Sequence, residues 1–513
     1  MRRFYTARSR RRPLYLPELC LGGAILGGAL YATDARRLFA DLPKSHEQVK
    51  SEQYSQHAQV KSSWESPGVY ACGNNKARVV APDATDDYIK SPKPMTYFSG
   101  KVLRDLVLDR TVGVAVDQDG DVMQWGDGYS PAQREPEYTL VGKKITQVSV
   151  SKERIYALAS SGNVYCLPFA KTDLLYGPKP YEASWIPLVG RRSNISYVQI
   201  KPSLQSRERV RSVVCGLDHA LLMTSAGRVF STTASNVPLR RGQFGVVHDA
   251  TAEEHGVHEI ATLDGFRIRR VAAGDYHSVV ADDNGRVWTF GDNTYGQLCF
   301  DFTPDTAMLP LPTLLPLQSL LYSPHQTVHC GGLGAGGSST YLVRKASASA
   351  KQPTPTIDVW ASGAGLSGQL GNGRWLQTQG KPIKVKSLSG LFEFHEGQGR
   401  QVPIGMWISC GSAHCAAVLG NITKVDAGGG RNDVNYGRDV LLWGANESFQ
   451  LGTGKRNNLN VPSYVPPLGQ AGGRQETHRL QLTPATSHHG LRFEQAVVAG
   501  RGTTGVYSRL VGA

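Results

Sequence analysis

The residues of this chain that could do chemistry are few and scattered. His219, His277 and His414 recur at one position of a repeated phrase, and three imidazoles invite a metal reading. Equivalent positions of a repeat fall in different structural units, however, and the other copies carry other residues there. The histidines therefore read as structural, each hydrogen-bonding locally. Gly363-Ala364-Gly365-Leu366-Ser367-Gly368 has the glycine spacing of a dinucleotide-binding turn, but it fills a slot of the same repeated phrase, and no strand–turn–helix unit surrounds it. Gly454-Lys455 is followed by Arg456 rather than Ser or Thr, and lacks the upstream glycine of a phosphate-binding loop. The eight cysteines stand singly, with no C-x-x-C and no zinc-type Cys/His spacing. They read as reduced, buried, small apolar side chains. Spacing supports no Ser-His-Asp set and no carboxylate pair. The expectation is no catalytic residue, no metal and no cofactor, which turns the question from bond making to binding.

The elements that position these residues are repeats. Val287-Trp288-Thr289-Phe290-Gly291-Asp292-Asn293-Thr294-Tyr295-Gly296-Gln297-Leu298 is echoed at 359–371 and at 442–452. This strand with its closing glycine starts at Val69, Val122, Val164, Val229, Val287, Val359 and Val440, although the copies at Val164 and Val229 lack the glycine. A companion strand–turn–strand phrase, clearest at 271–280, 213–222 and 408–416, has weaker copies around Val112, Arg154, Thr340 and Thr503. Each half thus occurs seven times. The strands are short and rich in Val, Ile, Trp, Tyr and Phe, and turns such as Asp119-Gly120 and Asn284-Gly285 read as tight hairpins. Asn293, Gln297, Asn446 and Gln450 sit in the turns, where their amides are expected to satisfy backbone groups at the corners of each unit.

The two ends complete one unit between them. The first element, Val69-Tyr70-Ala71-Cys72-Gly73, is a second half with nothing before it, and the stretch from Phe493 to Leu510 is a first half with nothing after it. A ring closes in this way, with Val69, Tyr70 and Gly73 as the closing residues, whereas an open solenoid would need capping repeats. The expectation is an all-β, seven-bladed β-propeller over residues 67–513, closed by its N-terminal strand. Long spacers at 168–207, 299–325, 344–356, 374–404, 424–438 and 455–490 read as surface loops.

The composite phrase A-C-G-x-x-H followed by V-W-x-x-G-x-N-x-x-G-Q-L-G resembles the repeat of the regulator of chromosome condensation family. The resemblance covers roughly residues 65–510, is specific at 271–298 and 408–452, and is degenerate at 143–168 and 208–245. It implies a seven-bladed propeller, in agreement with the count.

The N-terminus carries a different message. Arg2, Arg3, Arg8, Arg10, Arg11 and Arg12 with no acid among the first 13 residues have the composition of a mitochondrial presequence. An apolar run follows, whose Leu19, Leu21, Gly23, Ile25, Leu26, Gly27 and Leu30 make residues 14–33 a candidate single membrane anchor. The 14 apolar residues 19–32 give about 21 Å of helix against a hydrocarbon core of about 30 Å. Three readings stay open: a presequence with an inner-membrane anchor, a presequence removed whole, and a secretory or endoplasmic-reticulum signal. Retained arginines would send the propeller outward. After cleavage Arg36, Arg37 and Lys44 hold it in the matrix, which is the side expected here. Residues 34–66 read as a polar tether.

The net charge of +14 includes +6 from residues 1–44. Arg207, Arg209, Arg211, Arg240, Arg241, Arg267, Arg269 and Arg270 form local basic clusters. They read as solvated edges or as an electrostatic face for RNA or anionic lipid. No interleaving of aromatic and basic residues favours RNA, so nucleic acid is not an expected partner. A presequence, an anchor and this repeat together resemble a fungal-type inner-membrane member of the family. That resemblance implies a non-enzymatic scaffold for assembly or stability of a respiratory complex, foremost cytochrome bc1 (complex III), with subunits or assembly intermediates as partners. The alternatives are a guanine-nucleotide exchange factor for a mitochondrial GTPase and a mitoribosome or RNA-associated scaffold.

Overall fold

The computed structural model describes residues 56–512 except 183–190, 236–240, 247–255, 319–321, 324–325, 349–353, 396–398, 422, 427–433, 469–478 and 489. The presequence arginines and the apolar run, Leu19 to Leu30, lie outside the described residues. Among those described, no helix is long and apolar enough to cross a membrane.

The chain is mostly β, and most of its described strands sort into antiparallel sets of four. From inner to outer strand, Leu103–Leu108, Gly113–Asp117, Val122–Trp125 and Glu137–Tyr138 make the first. Ile145–Val150, Arg154–Ala159, Val164–Pro168 and Val198–Ile200 follow. Then come Val210–Cys215, His219–Thr224, Val229–Thr233 and Val257–Glu259, and Ile268–Ala273, His277–Asp282, Val287–Asp292 and Met308–Leu314. Val328–Gly336, Ser339–Ala346, Thr356–Gly365 and Leu376–Lys384 are next. Met406–Cys410, His414–Leu419, Val434–Gly444 and Leu459–Tyr464 follow them. The last set joins both ends of the described chain: Leu491–Ala499, Thr503–Leu510, Val69–Asn74 and Tyr88–Pro94.

Each inner strand contacts the inner strand of the next set, and Leu491–Ala499 contacts both Met406–Cys410 and Leu103–Leu108. Apolar side chains fill the seams. The cluster that holds Val114, Val116, Ile145, Val148 and Ile155, for example, takes its members from two sets. A strand covered on both faces need not alternate polar and apolar residues, and His277–Asp282 and Val287–Asp292 are buried throughout.

The outer strands correct the loop reading of the spacers. Val198–Ile200, Met308–Leu314, Leu376–Lys384 and Leu459–Tyr464 all lie within stretches expected to be loops. They were hard to see because Val198–Ile200 is only three residues long and the other three are edge strands carrying prolines: Pro310 and Pro312, Pro382, and Pro462. Tyr88–Pro94 carries Pro92 and Pro94 likewise. A proline offers no N–H to a further strand, so these edges resist pairing with another chain. The polar tether is also shorter than expected. Residues 56–65 form a helix, Gln56–Glu65, that rests on Val434–Gly444 and Gln481–Leu482, with Val60 buried and its carbonyl accepting from Thr483 Oγ1 at 3.3 Å.

Val69–Asn74 pairs with Thr503–Leu510 in the register Val69–Tyr507, Tyr70–Val506 and Gly73–Thr503. Gly73 has φ +118°, and a Cβ there would lie 2.4 Å from the Gly502 carbonyl oxygen. Gly291 repeats this geometry with φ +110° and 2.4 Å to the Tyr276 carbonyl oxygen. The closing glycine of the repeat is therefore required by backbone approach. Gly73→Ala is expected to lower stability by about 2 kcal/mol or more, read as a fall in the urea midpoint. Gly454→Ala, also at positive φ but with nothing within 4 Å, is expected to cost about 1 kcal/mol. Equal midpoints for the two variants would contradict the close approach.

Candidate functional site

The inner strands end in small turns around a central recess, lined by Asp109, Gly216, Gly274, Gly337, Gly411 and Gly500 among others. Backbone bonds link turn to turn: Lys152 N–H donates to Leu217 O at 3.0 Å, Leu217 N–H to Asp275 O at 2.9 Å, and Asp275 N–H to Gly337 O at 2.7 Å. Ser412 N–H donates to Gly500 O at 3.2 Å. The turns approach so closely that side chains are excluded. A Cβ on Gly274 would lie 2.7 Å from the Gly337 oxygen, and one on Gly411 would lie 2.3 Å from the Gly500 oxygen.

Arg501 reaches across this end. Its guanidinium donates to Asp275 Oδ1 at 2.7 Å and lies 3.2 Å from Asp109 Oδ1. Burial acts to lower the Arg501 pKa, but the bond to Asp275 and the two carboxylates outweigh it and raise the value. Burial likewise raises the Asp109 pKa against the opposing pull of Arg501. One cation and two anions from three different sets thus meet at this mouth, with the guanidinium shared between the carboxylates and one negative charge in excess. Sequence reading missed this group, because its members are far apart in the chain and only the packing of three sets brings them together.

The three repeat histidines are buried, and each spans a seam. His219 Nε2 lies 2.9 Å from Ser278 Oγ, His277 Nε2 lies 2.9 Å from Thr340 Oγ1, and His414 Nε2 lies 2.8 Å from Thr504 Oγ1. The partner always belongs to the next set, so the bonds are not local; this corrects the expectation. Each hydroxyl in turn donates to a backbone carbonyl: Ser278 to Gln243 at 3.3 Å, Thr340 to Gln297 at 2.7 Å, Thr504 to Gln450 at 2.6 Å. With the hydroxyl proton committed, Nε2–H must be the donor, and Nδ1, which has no partner, carries only a lone pair. The rings are packed against the glycines three residues upstream: a Cβ on Gly274 would lie 2.1 Å from His277 Cε1. Burial pulls His219 down to about 3 and His277 and His414 down to about 4, so all three are neutral. They hold sheets together and do not form one cluster. Among the described residues, no group of three His, Cys, Asp or Glu could hold a metal ion.

The turn amides are buried too. Asn293 Oδ1 accepts from Leu298 N–H and its Nδ2 donates to Phe300 O; Gln297 Oε1 accepts from Tyr295 N–H and its Nε2 donates to Asp292. Asn446 accepts from Leu451 N–H and donates to Lys455 O and Asn457 O, while Gln450 accepts from Ser448 N–H. Asn75 plays the Asn293 part in the closing set, accepting from Val80 and Ala81 N–H. All of these sites are structural corners.

The opposite end of the inner strands is different. The second residue of each is Arg104, Thr146, Arg211, Arg269, His329, Trp407 and Arg492, in chain order. Arg104, Thr146, Arg211 and Arg269 are extra residues of β-bulges, which re-aim a side chain away from the ladder. Arg211, Arg269, His329 and Arg492 are exposed, and Trp407 is 57% exposed with the Arg438 guanidinium 5.3 Å from its ring. Of the remaining basic clusters, Arg241 stacks 4.2 Å over Tyr276, Arg270 donates to Cys330 O at 3.3 Å, and Arg240 lies outside the described residues. One mouth therefore holds an arginine between two carboxylates, and the other presents a rim of basic side chains, of which Arg269 lies 3.8 Å from Asp283, with an exposed indole.

The family model of the regulator of chromosome condensation (RCC1) repeat matches residues 268–297. The chain is similar to the mitochondrial protein FMP25 of Saccharomyces cerevisiae, with 24% identity over 82% of this chain and 70% of that protein. It is also similar to the mitochondrial RCC1 domain-containing protein RUG3 of Arabidopsis thaliana, with 25% identity over 63% of this chain and 66% of that protein. The crystal structure of human WBSCR16 superposes with a TM-score of 0.58 and 17% identity, covering 87% of this chain and 99% of that one.

The histidine clasps predict a pH dependence. The unfolded chain protonates these imidazoles below about 6.5, whereas the folded chain refuses the proton until about 4 or 3. Between those limits the unfolded state binds more protons, so stability falls as pH falls. The loss is roughly 1–2 kcal/mol per histidine at pH 5. His277→Gln is expected to be less stable than the parent at pH 7 but to lose less on going to pH 5, as read from urea midpoints at both pH values. An unchanged pH slope would count against buried neutral histidine.

Proposed function

We propose that this RCC1-repeat chain is a seven-bladed β-propeller, closed by its N-terminal strand, that serves as a non-enzymatic docking scaffold in mitochondria. The four-strand sets number seven, their inner strands contact one another in an unbroken cycle, and Val69–Asn74 completes the last set; these contacts support the ring. The observation that carries the docking reading is the basic rim. The buried histidines and turn amides are committed to seams and corners, while Arg211, Arg269, His329, Arg492 and Trp407 stay exposed around one mouth. Exposed arginine and tryptophan are the residue types that anchor protein interfaces. The rim suits an acidic surface on the partner.

The mitochondrial setting is supported by the arginine-rich, acid-free leader and by the names of two relatives. Within it, the reading is that residues 14–33 tether the ring to the inner membrane on the matrix side. The rim then holds a subunit or intermediate of a respiratory complex, with cytochrome bc1 foremost. Tethering acts by raising effective concentration, so modest affinity at the rim is enough.

Deletion is expected to deplete complex III on native gels while partly built intermediates accumulate. Restoring the chain with Arg211→Glu and Arg269→Glu together is expected to leave the folded ring intact but reduce capture of the partner at least tenfold. Normal complexes after deletion remove the assembly role. Faster nucleotide release from a mitochondrial GTPase on adding the purified protein would favour exchange activity instead.

A further inference from the structure

A cavity of about 620 Å³ opens at the seam between the set that begins with Ile268 and the set that begins with Val328. That volume is in the range of small-ligand sites. Much of its wall is apolar, with Leu314, Leu315, Leu317 and Val328 contributing. Two arginines also line it. Arg286 is neutralised by Asp282, 2.6 Å away. Arg344 is not. It is only 3% exposed, its Nη1 donates to the Gly285 carbonyl at 2.6 Å, and its Nε has no partner. The acid opposite it in the ladder, Asp358, is held by Lys384 at 2.8 Å. Among the described residues, no carboxylate pairs with Arg344. Burial lowers its pKa from the usual guanidinium value and outweighs the opposing pull of Cys330, Tyr322 and Asp282.

A buried, unpaired guanidinium is costly, and a planar carboxylate is the group that best satisfies it. We propose that this cavity binds the carboxylate end of an apolar chain, with the carboxylate on Arg344 and the chain along Leu315 and Leu317. A medium-chain fatty acid and an apolar peptide C-terminus share that chemistry. The cavity shares no lining residue with the rim described above, although Gly285 and Val328 in its wall adjoin His329 of that rim; the proposal does not rest on the docking role.

The test is calorimetric titration of the full-length protein with decanoate, with decanol, and with a peptide ending in Leu-Leu as free acid or as amide. Trp360, whose Nε1 donates to Tyr322 OH at 2.9 Å beside the cavity, adds a fluorescence readout. Decanoate is expected to bind at least tenfold more tightly than decanol, or the free-acid peptide at least tenfold more tightly than its amide. The first result identifies a fatty acid as the source, the second a protein C-terminus. Arg344→Gln is expected to abolish the preference. Because that side chain is buried, Leu314→Glu at the half-exposed rim provides a second variant: its own carboxylate is expected to occupy the guanidinium and weaken binding at least tenfold with an unchanged thermal midpoint. Equal binding of acid and neutral forms, no binding of any of the four, or a preference that survives both variants overturns the proposal.

Discussion

The structure depends on how one sheet grips the next at turns too tight for a side chain. Where the inner turns meet, carbonyl oxygens of one set lie where a Cβ of its neighbour would be, as at Gly274 over Gly337 and Gly411 over Gly500. Glycine is the residue that permits this approach. It also opens the space that an imidazole fills. The three histidines, with a serine or threonine of the next set and a glutamine carbonyl of their own, then tie neighbouring sheets through buried polar atoms. Low surrounding polarity strengthens each bond but makes a missing partner expensive. The seams are thus selective as well as adhesive.

That selectivity explains why four copies lack histidine. The second residue of the middle strand in successive sets is Val114, Ile155, Ala220, Ser278, Thr340, Cys415 and Thr504. A histidine stands before a seam only where the next set offers a hydroxyl: His219 before Ser278, His277 before Thr340, His414 before Thr504. Where the next residue is Val114, Ile155, Ala220 or Cys415, the matching position holds Thr503, Gly113, Arg154 or Ser339. Thr503 bonds the Leu108 carbonyl, and the space at Gly113 is taken by Trp125. An imidazole facing Val114 or Ile155 would be buried with no acceptor for its N–H, so the variation among copies follows from a two-residue rule.

Much of this was legible in the sequence, for local reasons. The hairpins around Asn284-Gly285 and the run Val287 to Gly291 combine turn chemistry with bulky strand residues, and both phrases could be counted. The outer strands were not legible, because an edge strand such as Met308–Leu314 is half exposed, carries Pro310 and Pro312, and leaves no periodic trace. The histidines stood out as a repeated position, but their partners did not, since Ser278 and Thr340 come beside them only when neighbouring sets pack together. Arg501, Asp109 and Asp275 gave no signal at all, for their pairing depends on the recess they surround. The bulged Arg211 and Arg269 were visible as charge but not as a rim.

The sheet that pairs Val69–Asn74 with Thr503–Leu510 imposes an order on folding. Tyr70 pairs with Val506, and Gly68 with Ser508, so the first strand acquires its inner neighbour only after nearly the whole chain is present. Until then Val69–Asn74 has a single ladder partner, Tyr88–Pro94. Contacts this remote in sequence form late, because loop closure costs entropy before the contact repays it. A chain emerging N-terminus first therefore carries an unpaired strand edge through most of its synthesis. Two local features limit that exposure: Pro92 and Pro94 blunt the far side of the hairpin, and helix Gln56–Glu65 supplies an adjacent segment that docks on Gln481–Leu482 once the C-terminal sets arrive. The same helix joins the closing strand to whatever precedes it. Tension applied to the chain N-terminal of the helix would therefore load its contacts with Val434–Gly444 and Gln481–Leu482 before it reached the ladder between Val69–Asn74 and Thr503–Leu510.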